Sequence, residues 1–151
     1  MSQCIHLYGS LTKDVLVDAL GKFRRVASGE GPITFVIDSD EGDLDSAVRF
    51  VNCVRFIPIK KLVRVCNAGP VASFIVIAIS DETEIRTNAE LRFGCDRDKA
   101  GNSETTYRAI LYKTLSSNKY GQKKLREFNA KGSMRLSADE SLKMEIAKRV
   151  F

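Results

Sequence analysis

The sequence predicts an α/β fold built on a mostly parallel sheet, and three observations carry that prediction. Short apolar runs rich in β-branched residues, 33–37 and 62–66, have the length and content of buried strands. Apolar residues at helical spacing follow such runs, first as Val15, Leu16, Ala19, Leu20 and Phe23, then as Leu44, Ala47, Val48, Val51 and Val54. Glycine and proline separate the segments, as in Gly29-Glu30-Gly31-Pro32. Strand and helix alternating in this order is the pattern of a parallel sheet with crossover helices.

Each element can be justified in turn. Residues 4–8 read as a first strand, closed by Gly9, ahead of the helix marked by Val15 to Phe23. Residues 33–37 are the second strand, and 39–43 an acidic loop with one glycine before the second helix. Residues 62–66 are the third strand, and the apolar helix behind Ser73 spans 74–79. Residues 83–87 and 90–93 read as short strands around Asn88-Ala89, and 94–103 as a polar loop. Tyr107, Ile110, Leu111, Thr114 and Leu115 form another helical stripe. Ser137-Ala138-Asp139-Glu140 is a capping box leading into Leu142, Met144, Ile146 and Ala147. No repeat, low-complexity segment or linker divides the chain, so 1–151 is expected to be one domain.

Composition excludes several classes of function. The net charge of +5 is spread over pairs such as Arg24-Arg25, Lys60-Lys61 and Lys123-Lys124, with no basic stripe interleaved with aromatics, which argues against nucleic acid as a partner. The longest apolar stretch, 71–79, is too short to span a membrane. Cys4, Cys53, Cys66 and Cys95 lack metal-like spacing, and no metal or cofactor is expected. Cys4 and Cys66 lie in apolar strand-like runs and are expected to pack as small hydrophobes. With no signal peptide, this usage points to the reducing cytoplasm.

The stretch Val65-Cys66-Asn67-Ala68-Gly69-Pro70-Val71-Ala72-Ser73-Phe74 carries the chemistry. An apolar strand enters a small-residue turn and presents one hydroxyl at the start of an apolar helix. Backbone N–H groups at a helix start face developing negative charge, so this is one way to mount a serine nucleophile. Serine is also a favoured helix N-cap, and the local pattern alone leaves both readings open.

Taken in order, the motifs resemble the Clp peptidase subunit, within the wider Clp/crotonase fold that also includes signal-peptide peptidase A. The resemblance rests on Ile5-His6-Leu7-Tyr8-Gly9, on Pro32-Ile33-Thr34-Phe35-Val36-Ile37-Asp38-Ser39-Asp40-Glu41-Gly42, and on Gly69-Pro70-Val71-Ala72-Ser73. It continues through Asn88-Ala89-Glu90-Leu91-Arg92-Phe93, Tyr120-Gly121-Gln122 and Leu136-Ser137-Ala138-Asp139-Glu140. It implies repeated ββα units, a mostly parallel sheet and C-terminal helices. It also implies Ser73 at the nucleophile position and an oxyanion hole from the backbone N–H groups of Gly42 and Phe74.

The rest of the triad departs from the family. Gly94 stands where the family has its histidine, with Cys95 beside it, and Asn129 where it has its aspartate. The single histidine, His6, lies in the first strand. A serine without a base is a poor nucleophile. Lys99, Lys123, Lys124 and Lys131 are candidate substitutes of the Ser–Lys kind, but all lie in polar stretches. Asp96 and Asp98 are weak bases at neutral pH, and nothing near Cys95 in sequence offers it a base. Two readings follow: a divergent Clp-like serine peptidase with a non-standard base, or a non-catalytic Clp-like scaffold or regulatory subunit. The resemblance implies peptides or unfolded polypeptide as ligands, homo-oligomers, and a Clp-type ATPase or an active paralogue as partner. The segment 94–106 is short where the family has a long handle joining two rings, so the usual two-ring chamber is not expected.

Overall fold

The computed structural model describes residues 3–95 and 101–151. Among the described residues a seven-stranded sheet carries the fold: β1 (Gln3–Tyr8), β2 (Ile33–Ser39), β3 (Lys61–Ala68), β4 (Glu82–Ile85), β5 (Glu90–Gly94), β6 (Ser133–Ser137) and β7 (Arg149–Val150). The main path runs β1-β2-β3-β4-β7 with every pairing parallel. The end of β3 also pairs with β5 through Ala68 and Leu91, and β5 pairs antiparallel with β6. The α/β architecture with a mostly parallel sheet is therefore as expected.

Side-chain alternation sets the faces. Ile5, Leu7, Ile33, Phe35, Ile37, Val63 and Val65 are buried in the core, while Cys4, His6 and Tyr8 on the opposite face of β1 are exposed. Cys4 thus does not pack as a small hydrophobe, and Cys66 is only half-buried. Both sit at positions that the period of two directs away from the core.

Helices α1 (Lys13–Val26), α2 (Leu44–Val54) and α3 (Pro70–Ile79) fill the crossovers. Thr12 and Asp43 cap the first two, accepting from the Val15 and Ser46 N–H groups respectively. Phe23 stacks on Phe35, and Phe35 meets Phe50 edge-on, so α1, β2 and α2 share one aromatic core. The helix α3 begins at Pro70, not after Ser73. Proline is suited to a first helical position, and Gly69 is the N-cap.

The C-terminal part comprises α4 (Asn102–Leu115), α5 (Lys119–Lys131) and α6 (Ala138–Lys143). The capping box at Ser137 and Glu140 is formed as expected. The helix after it is short: Glu145 turns the chain with φ 60°, so that Arg149 and Val150 pair with β4. Met144 and Ala147 are buried in this turn rather than on a helix face.

Lys61 is 4% exposed, and its ammonium donates to the Ile57 and Ile59 carbonyls at 2.7 and 2.9 Å. Its register with Val63 and Val65 places it inward, a position readable only from the strand's period.

Glu140 ties α5 to α6. It accepts from Lys124 at 2.7 Å, from the Tyr120 hydroxyl at 2.8 Å and from the Ser137 N–H at 3.1 Å. Partial burial opposes ionisation, but these donors prevail and hold the carboxyl at about 2. A depressed carboxylate stabilises the fold above its unfolded value of 4.5, and that contribution is lost as pH falls toward 2. Glu140→Gln is expected to lower stability at neutral pH by about 1–2 kcal/mol. Urea unfolding of both proteins at stepped pH checks this: the gap between them should close below pH 4.5.

Candidate functional site

The carboxyl ends of β2 and β3, where crevice sites lie in open parallel sheets, bring the Asp40–Gly42 loop against the start of α3. The β2–β3 register shifts after Ile37 and Val65, leaving Cys66 as the extra residue of a bulge and pairing Asp38 with Asn67. This sets Asn67 beside the loop at Asp40. Gly69 must be glycine: a Cβ there would lie 2.0 Å from the Asp40 carbonyl oxygen. Its N–H donates to the Ser39 carbonyl at 2.7 Å, which docks the start of α3 against the end of β2.

Ser73 lies one turn inside α3 and is 0% exposed. Its hydroxyl donates to the Ala68 carbonyl at 3.1 Å and accepts the Arg92 backbone N–H at 3.0 Å. The side chain therefore links the end of β3 to β5. No histidine, lysine or carboxylate bonds to it among the described residues.

Gly42 approaches the same end of α3. A Cβ on it would lie 2.8 Å from Leu11 Cβ and 3.1 Å from Val71 Cγ1, so close backbone approach is what requires glycine here. Phe74 is fully buried in α3, and its N–H falls within the helix's own hydrogen-bond ladder. In an α-helix capped by Gly69, the N–H groups left over at the start are those of Val71 and Ala72.

Tyr107 on α4 stands beside Gly94. Its ring stacks on Phe74, with centroids 5.1 Å apart. Its hydroxyl donates to the Pro70 carbonyl at 3.0 Å and accepts the Gly94 N–H at 3.2 Å. Burial pushes this phenol well above its ordinary pKa, against the pull of the Gly94 N–H. Sequence reading placed Tyr107 in a helical stripe and missed this role, since only the fold brings α4 over α3.

Asp40 accepts from Asn67 Nδ2 at 2.6 Å and from Arg92 Nη2 at 2.7 Å. These bonds, Asn67 first, hold its carboxyl below the usual range. Arg92 thus grips the β2 loop with its guanidinium and Ser73 with its backbone. Neither Arg92 nor Asn67 stands out in the sequence.

Among the described residues the candidate bases are placed elsewhere or otherwise engaged. Lys124 is paired with Glu140 and Glu127, at 2.7 and 3.4 Å, and is not solvated surface. Burial lowers its pKa, but these carboxylates outweigh that and leave it raised, the wrong direction for a base. Lys131 is exposed and lies 3.8 Å from Glu127, and Lys123 is exposed. His6 is exposed on β1 and bonds the Tyr8 hydroxyl at 2.9 Å. Asn129 on α5 accepts the Tyr112 hydroxyl. Asp96, Asp98 and Lys99 lie outside the described residues. Among the described residues no group of three His, Cys, Asp or Glu side chains could hold a metal, and no helix is long and apolar enough to cross a membrane.

The sheet, its split at β3 and the glycine-flanked start of α3 define a ClpP-like α/β fold. Among solved structures the chain is similar to the crystal structure of the ClpP protease catalytic domain from Plasmodium falciparum. The TM-score is 0.82 over 99% of this chain and 84% of that one, at 11% sequence identity. No family model matches the sequence, and no curated protein does.

Two sets of substitutions test the geometry. Ser73→Ala is expected to destabilise by about 1–3 kcal/mol, because it leaves the Arg92 N–H without its acceptor. A Tm unchanged from wild type would refute the structural role. Gly69→Ala should cost about 3 kcal/mol or more by overpacking against Asp40. Gly94→Ala, whose Cβ would find its nearest neighbour at 3.8 Å, should stay within about 0.5 kcal/mol of wild type. Denaturant midpoints distinguish the two glycines.

Proposed function

We propose that this chain is a non-catalytic ClpP-like subunit that acts by binding peptides or an active partner, with Ser73 serving as a structural hydroxyl. The observation that carries this reading is the double engagement of Ser73 Oγ by the Ala68 carbonyl and the Arg92 N–H, with the side chain 0% exposed. A nucleophile needs an acceptor base within reach of its proton. Here the proton goes to a backbone carbonyl, which cannot take it. Loss of triad members leaves only binding and oxyanion stabilisation, roughly 10³–10⁴-fold over water in the serine-protease template. That residue of catalysis would itself need Ser73 to be exposed.

A divergent serine peptidase remains the second reading, supported by Gly42 against the start of α3 and by Ser73 at the family's nucleophile position. It requires β5 to move away from Ser73 and a base to approach. Homo-oligomers, a Clp-type ATPase or an active paralogue are the partners this fold suits, and the reducing cytoplasm suits its four free thiols.

A fluorophosphonate probe separates the two readings. Wild type and Ser73→Ala are expected to label equally weakly across neutral and mildly alkaline pH. The double variant Gly94→His, Asn129→Asp should also gain no labelling, because restoring the family's side chains leaves Ser73 Oγ tied to β5. Ser73-dependent labelling in either background would favour the peptidase.

A further inference from the structure

Along the edge of β4 that faces away from β3 we propose a binding strip for extended peptide segments of the pattern cation-cation-apolar-aromatic. The chain's own residues Lys148 to Phe151 occupy this strip, and the way they are held defines what it prefers. The inference rests on the peptide-binding role proposed above and gives that role a ligand class and a place.

Backbone pairing comes first. β7 lies parallel to β4, with Arg149 beside Glu84 and Val150 beside Ile85. The Lys148 N–H donates to the Thr83 carbonyl at 2.8 Å, and the Phe151 N–H to the Ile85 carbonyl at 2.9 Å. Thr87 closes the far end, its N–H and its hydroxyl donating to the Phe151 carbonyl at 2.7 and 2.9 Å. Side chains then add selectivity. Glu82 and Glu84 share one face of β4, as the strand's period requires. Lys148 lies 3.0 Å from Glu82 and Arg149 3.8 Å from Glu84. Each acid also has a β3-side cation, Lys60 at 3.0 Å and Arg64 at 3.3 Å. The Arg64 guanidinium stands over the Phe151 ring, 4.1 Å from its centroid, and Val150 packs partly against the core. Every residue of the segment thus has its own complement on the strip.

The segment is held in place without being locked there. Lys148, Arg149 and Phe151 are exposed, and ion pairs between exposed side chains are worth little. β7 has only 2 residues, and the entropy of ordering the segment offsets much of what its backbone bonds return. Ala147 is buried, so the unit that can leave begins after it. On leaving, it uncovers the Thr83 and Ile85 carbonyls and the Thr87 N–H as an open strand edge. A second extended segment of the same pattern meets the same partners, which is recognition by strand addition. An acidic segment sets like charges against Glu82 and Glu84.

Fluorescence anisotropy of the full chain tests this with labelled Ala-Lys-Arg-Val-Phe-amide, a counterpart with Glu-Glu in place of Lys-Arg, and a version N-methylated at Phe. Wild type is expected to bind the parent peptide, and each of the other two about tenfold more weakly or worse. The N-methylated peptide lacks the N–H that the Ile85 carbonyl accepts. Lys148→Glu combined with Arg149→Glu repels the chain's own segment from β4 and should bind the parent about tenfold more tightly than wild type does. Hydrogen exchange of wild type needs no variant to fold: the Lys148, Phe151 and Thr87 amides should exchange at least about tenfold faster than those of Phe35 and Val65 in the central strands. No binding of the parent by either protein, equal binding of the N-methylated peptide, a double variant that folds and binds no more tightly, or segment amides as slow as the central strands would each overturn the assignment. Self-association of the chain that shuts out the peptide would give the strip to a second copy and overturn it too. Ser73-dependent labelling by the fluorophosphonate counts against the proposed function and leaves this binding untouched, so the two failures are distinguishable.

Discussion

The end of β3 has to satisfy more neighbours than a regular strand can. Over Leu62 to Val65 it pairs with β2 on one side and β4 on the other, and at Ala68 it turns to β5. The bulge at Cys66 gives it the local twist to leave β4. Once β3 and β5 diverge, backbone groups at the split need partners other than the ladder. The Ser73 hydroxyl meets that need, taking the Arg92 N–H and giving its own proton to the Ala68 carbonyl. The start of α3, the β5–β6 arm and the Asp40 loop all hang from this joint. Asp40 reaches Arg92, and Gly69 packs under the Asp40 carbonyl.

The same joint is completed on its far side by α4. Gly94 leaves room beside Pro70, Gly132 and Ser133, all at ordinary contact distance from a Cβ. The Tyr107 hydroxyl accepts the Gly94 N–H and donates to the Pro70 carbonyl, and its ring covers Phe74. A buried phenol with its proton on a carbonyl is a spacer, not a base, because burial disfavours its charged form. The packing around the start of α3 is thus satisfied by neutral bonds from the Ser73 and Tyr107 hydroxyls.

What the sequence made legible follows from which residues signal locally. The strands at 33–37 and 62–66 and the helices at Val15–Phe23 and Leu44–Val54 carry their period in their own residues, and each lies within an observed element. The capping box at Ser137 is a local motif and was readable for the same reason. The start of α3 was misplaced because a serine near a helix start resembles an N-cap, while the Gly-Pro pair before it is the actual start signal. The turn at Glu145 hid because Met144 and Ile146 continue the apolar pattern of Leu142 after the helix has ended. The site's real partners could not be read at all. Ser73 meets Arg92 nineteen residues away, and Arg92 meets Asp40 fifty-two residues away. Neither spacing leaves a mark in a local pattern.

Two clusters of polar side chains hold this chain's elements together. Around Glu140, Lys124, Tyr120 and the Ser137 N–H converge on one carboxylate, and Glu127 completes the set. Such a network fixes α5 against α6 and offers little to a ligand, since a newcomer would have to break bonds already made. The polar atoms around Ser73 are committed in the same way: a hydroxyl that already donates to the Ala68 carbonyl and accepts the Arg92 N–H holds β3 and β5 together and has no bond to spare.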